Sequence, residues 1–73
     1  MTWRSLVRAF IQDRWDVGTE FRIDNLYAEL GMFERAYPHN HHVREKLRQV
    51  IQLLRDDGEI LFLDDAGLYK RLR

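Results

Sequence analysis

Residues 40–57 read NHHVREKLRQVIQLLRDD, and their spacing decides the fold. Val43, Leu47, Val50, Ile51 and Leu54 recur at i, i+4, i+7, i+8 and i+11, which stacks them on one stripe of an α-helix. His41, Glu45, Arg48, Gln49 and Gln52 fall on the opposite face, with Arg44 and Arg55 on its flank. A helix buried by its stripe turns a row of hydrogen-bonding side chains outward. Asn40 is the expected N-cap, and the helix is expected to stop near Asp57 and Gly58.

Upstream, Pro38 blocks any continuous helix through this region. Residues 32–39 form a connection longer than a tight helix-turn-helix turn, with room for an extra helical turn and with Met32 and Phe33 as core filler. Ile23, Leu26, Tyr27 and Leu30 lie at i, i+3, i+4 and i+7. They predict a second helix with Asp24 and Asn25 in its partially positive first turn and Gly31 just past its end. Trp3, Leu6, Val7, Phe10 and Ile11 predict a first helix over residues 2–14, capped by Thr2. Trp3 and Trp15 read as core, because no polar cluster accompanies them. Asp16 to Thr19 breaks that helix, and residues 19–22 are a brief strand.

Downstream, Ile60-Leu61-Phe62-Leu63 is a short apolar run bounded by turn residues, which fits a buried strand. Asp64-Asp65-Ala66-Gly67 is a turn, and residues 68–72 pair back as a second strand. The order is helix, short strand, helix, helix, hairpin. That order gives an α+β fold, a winged helix-turn-helix of three helices plus a small antiparallel sheet with a β-hairpin wing.

With 73 residues the chain supports one domain. It contains no cysteine, so neither a disulfide scaffold nor a Cys-based zinc site is available. No apolar run approaches membrane-spanning length, and the opening MTWRSLVRAF lacks the pattern of a signal peptide. The expected location is the cytoplasm. Formal net charge is zero, yet the charge is unevenly spread. Residues 35–55 hold five basic side chains (Arg35, Arg44, Lys46, Arg48, Arg55) and one acid, Glu45, a net of +4. The remainder carries −4, and a basic patch on an acidic body suits an oriented contact with phosphate. A solvated helix face laced with i,i+4 pairs has the same composition.

Catalysis is not expected. Ser5 is the only serine, the acids are scattered over turns and helix ends, and there is no Gly-rich phosphate loop. His39, His41 and His42 are adjacent, but neighbouring positions at a helix start diverge and no carboxylate lies among them, so no metal or other cofactor is expected. Nucleic-acid readout fits better, since the N-terminal part of the last helix of such folds enters the major groove. Asn can address adenine, Arg guanine, and Glu cytosine N4. Lys70, Arg71 and Arg73 near the wing are placed to meet the DNA backbone, while Asp64 and Asp65 at its tip would repel it. A winged helix used purely for protein contacts is the bland alternative.

Residues 21–69 resemble the C-terminal winged-helix domain of the DpnI and Dam-replacing family of methyl-dependent restriction endonucleases. The likeness rests on Asn40, His42, Val43, Lys46, Leu47, Arg48, Gln49, Ile51, Gln52, Leu54, Arg55 and Asp56 along the long helix. Ile60, Phe62, Gly67 and Tyr69 match the hairpin, and Trp3 matches a tryptophan opening the family's first helix. The chain departs in its wing, which is acidic and one residue longer than the family's Gly-Arg-Gly type, and in Val50, which replaces a glutamine.

The resemblance implies a non-catalytic reader of N6-methyladenine in double-stranded DNA, in a GATC context methylated on both strands. It also implies a bacterial or archaeal nucleoid-associated protein. Residues 1–73 would be one winged-helix module, excised from or fused to a larger protein such as a type II methyl-directed restriction endonuclease. The expected DNA contacts are Arg35, Tyr37, His39, Asn40, His41, His42, Arg44, Glu45, Arg48, Gln49 and Lys70. N6-methyladenine keeps one N6–H donor and adds a methyl group. A reader therefore needs an acceptor, Asn40 or Glu45, beside an apolar surface from Ala36, Tyr37 or a histidine ring. DNA binding without methyl selectivity is the nearer alternative.

Overall fold

Thr2 and Ser5 begin the chain's first helix by satisfying each other's backbone. In the computed structural model, which describes residues 2–73, the Ser5 N–H donates to Thr2 Oγ1 at 3.1 Å and the Thr2 N–H to Ser5 Oγ at 3.0 Å. This reciprocal cap opens helix α1, Trp3–Arg14. Strand β1 (Glu20–Arg22) follows, then α2 (Ile23–Tyr27), α3 (Leu30–Ala36) and α4 (Val43–Asp56), and the hairpin β2 (Ile60–Phe62) and β3 (Leu68–Arg71) closes the fold. No helix among the described residues is long and apolar enough to cross a membrane.

The sheet runs β1-β3-β2, antiparallel throughout. Phe21, Tyr69 and Phe62 stand opposite one another and form an aromatic row on its inner face, with Trp15 stacked on Phe21 at 4.5 Å between ring centroids. Val43, Leu47, Val50, Ile51 and Leu54 of α4 are buried, as its stripe demands. They pack with Val7 and Ile11 of α1, Leu26 of α2 and Phe33 of α3 into one core above that row. Helix α4 ends as expected: Gly58 takes φ +76°, its N–H donates to Arg55 O, and the Glu59 N–H donates to Leu54 O.

Two expectations fail. The second helix does not run from Ile23 to Leu30 with Gly31 beyond its end. The chain turns at Ala28 and Glu29, where the Glu29 N–H closes onto Leu26 O, and Gly31 sits inside α3. The described residues therefore form four helices, and Phe33 is the buried core filler expected of it, held in α3. Asn40 is not the cap of α4 either. Its Oδ1 accepts from the His42 N–H at 2.8 Å, forming a turn before the helix, and His42 is the residue at the cap position.

Arg8 and Glu59 join α1 to the start of β2 by a two-point ion pair, Nε–Oε1 2.6 Å and Nη2–Oε2 2.8 Å. The hydrogen bonds from Arg8 hold the Glu59 carboxyl below the usual carboxylate range, against the burial that would raise it. A carboxyl whose pKa is lower in the fold than in the unfolded chain stabilises the fold above the unfolded value. That contribution disappears as pH falls through the folded value. Glu59→Gln is expected to cost about 1–2 kcal/mol at neutral pH, discounted for the partly exposed Arg8. Urea unfolding at a series of pH values should show the variant and the parent converging in acid; a constant gap down to strongly acidic pH would count against this linkage.

Candidate nucleic-acid interface

The buried stripe of α4 fixes which of its side chains remain outside. Arg44, Glu45, Arg48, Gln49, Gln52 and Arg55 are all exposed. The flank facing α2 and the hairpin carries arginines held on aromatic rings. The Arg44 guanidinium lies 4.8 Å from the Tyr27 ring centroid and that of Arg55 4.6 Å from Phe62. Such contacts orient a guanidinium while leaving its edge N–H groups free to donate. Arg48 lies between them along the helix and makes no hydrogen bond or ion pair among the described residues. On the other side of the exposed face, Gln49 Oε1 accepts from Lys46 Nζ at 3.2 Å.

Two concavities flank this face. One, of about 400 Å³, runs between α4 and the wing, with Arg48, Gln52 and Arg55 on one wall, Asp64 and Asp65 on the other, and Tyr27, Phe62 and Tyr69 below. Asp64 is committed to the turn itself. Its Oδ1 accepts from the N–H groups of Leu68 and Ala66, both at 2.9 Å, and these hold its carboxyl below the usual range. Burial pushes the Tyr69 hydroxyl up, a shift that nearby Arg48 opposes. The second concavity is a shallow hollow of about 630 Å³ at the start of α4. Trp3 and Tyr37 stack there at 4.4 Å, and the hollow extends past Ala36 and Pro38 to the segment His39–His42.

Most of the expected contact residues gather around these two features. Tyr37, His39, Asn40, His41 and His42 line the hollow, with the three histidines exposed. Arg44, Glu45, Arg48 and Gln49 continue the surface along α4. Arg35 is exposed near the end of α3, its Nη1 lying over Gly31. Lys70 lies elsewhere: it is central in the sheet between Glu20 and Leu61, and alternation sends it to the face opposite the Phe21–Tyr69–Phe62 row. Arg71 is not available to a backbone as expected, because its guanidinium donates to Trp15 O and Arg73 O.

Trp3 packs against the core, as expected. It is half-buried there and also walls the hollow. Its partner Tyr37 is 34 positions away in the chain, so no local pattern marks the pair. Among the described residues no three His, Asp or Glu side chains gather where they would hold a metal ion. The family model described as the Dam-replacing HTH domain, of the DpnI C-terminal type, matches residues 2–71 of the 73. By that match over nearly its whole length, the chain belongs to the Dam-replacing HTH domain family.

Proposed function

We propose that this domain binds double-stranded DNA and reads N6-methyladenine, in a G-m6A-TC context, with the N-terminal half of α4 in the major groove. Membership of a helix-turn-helix family supports DNA as the partner. The observation that carries the finer reading is the junction of two surfaces. Arg44 and Glu45, at the start of α4, line a recess that shares Pro38, Asn40 and His41 with the hollow walled by Trp3 and Tyr37. A methylated adenine edge needs that combination, an acceptor for its remaining N6–H beside an apolar wall for the methyl group. Glu45 is the better acceptor, since Asn40 Oδ1 is already engaged by the His42 N–H. The module is non-catalytic in this reading, works in the cytoplasm, and acts for a fused nuclease or other effector.

Titration with GATC duplexes that are unmethylated, hemimethylated and fully methylated tests this directly. Affinity is expected to rise with each methyl group. Equal affinity for all three would leave a DNA-binding domain without methyl selectivity, and no binding at low salt would remove the DNA reading. A protein-contact reading draws on Leu61, Leu63 and Leu72, which are 39–45% exposed. Leu61 lies on the outer face of the sheet, away from α4, so such a contact would not compete with DNA.

A further inference from the structure

The wing of this domain is poorly suited to hold phosphate, because its tip carries Asp64 and Asp65. The charge needed to fix the domain on a duplex must come from elsewhere. Arg44, Arg48 and Arg55 occupy a sector of about 40° on α4 and span about 16 Å of its length. Two of them are steadied on aromatic rings rather than consumed by acids: Arg44 on Tyr27 and Arg55 on Phe62. Arg55 also meets Asp56 at 3.3 Å, an exposed pair whose strength is small. Glu45 and Gln49 are turned away from this sector by about 60° or more.

We propose that Arg44, Arg48 and Arg55 form a phosphate-tracking row, which follows one DNA strand from Arg44 on Tyr27 into the concavity between α4 and the wing, while Glu45 and Gln49 face base edges. The inference rests on the DNA-binding reading above and divides its labour between two flanks of one helix. Each strand of a duplex carries one phosphate for about every 3.4 Å of duplex axis, so a row of this length meets more than one. Asp64 opposes the row weakly, since its carboxylate is turned onto two backbone N–H groups. Asp65 lies on the opposite wall and limits affinity without closing the path. Arg55 is the informative member. It lies about 9 Å along the helix beyond Gln49, the last residue that meets the bases, so a role for it follows only from this path.

The test is the salt dependence of binding to a fully methylated GATC duplex and to an unrelated duplex. Arg55→Ala is expected to weaken binding several-fold on both and to flatten the slope of log K against log salt by about 0.9. Arg55→Lys should restore the slope. Gln49→Ala should leave the slope unchanged and alter discrimination between the duplexes. Arg55→Met keeps an aliphatic stem over Phe62 and replaces the alanine variant if thermal melts show that alanine loosens the hairpin. An unchanged slope in the folded Arg55 variants overturns the row while leaving the DNA reading intact. Failure of the parent domain to bind either duplex overturns both.

Discussion

Phe33→Ala is expected to destabilise the domain by about 3–5 kcal/mol, the usual range for deleting a buried phenylalanine ring. The ring is fully buried, with Phe10 at 5.3 Å and Trp3 at 6.3 Å between centroids. A chain of 73 residues has a total stability of about 4–11 kcal/mol at the usual value per residue. One substitution therefore removes much of it, with a fall in Tm on the order of 20 °C. No disulfide offsets the loss, since the chain has no cysteine. Urea unfolding should show a lower midpoint at unchanged slope, and Phe33→Leu should recover most of the difference. A loss below about 1 kcal/mol would mean that α3 is not part of the cooperative core.

The loss should also reach the candidate site. Phe33 anchors α3, which ends at Ala36 and delivers Tyr37 to its stack on Trp3. Without the ring, α3 has no other fully buried side chain to fix its position. The hollow beside α4 then loses its wall even in molecules that remain folded.

The parts of this fold legible in the sequence are those whose apolar spacing runs long enough to pick one period. Helix α4 shows five buried positions in strict register, and α1 has Val7 and Ile11 buried with its other apolar positions packed alongside. The break between α2 and α3 was not legible, for a specific reason. Leu26, Leu30 and Phe33 continue an i, i+4, i+7 pattern straight across the break between α2 and α3. Periodicity alone cannot register a turn that leaves its own phase intact. Glu29 marks the break only through a tertiary contact, its carboxylate meeting Arg14 of α1 at 3.1 Å. The site divides in the same way. Charge and helical position identified Arg44 and Arg48, whereas the aromatic seats of Arg44 and Arg55 depend on how α2 and the hairpin dock against α4.

The docking of the hairpin turns on Gly67, and Gly67→Ala should be the most damaging small change outside the core. This residue has φ +95°, a conformation that costs an L side chain about 1–2 kcal/mol. A Cβ built there would lie 2.7 Å from Ile23 Cγ2, close enough that the chain must shift. The Ile23 N–H donates to Gly67 O at 2.9 Å, so a shift also strains the hydrogen bond joining the wing to the start of α2. With overpacking added, the expected cost is about 2–4 kcal/mol. A double-mutant cycle separates the two causes. In an Ile23→Ala background the clash is removed and Gly67→Ala should cost only the backbone strain. An equal cost in both backgrounds would show that the Ile23 contact is irrelevant. The wing is one wall of the concavity that holds Arg48 and Arg55. A folded Gly67→Ala domain should therefore bind duplexes more weakly while keeping its salt slope, because the guanidinium groups remain while the path they line changes shape.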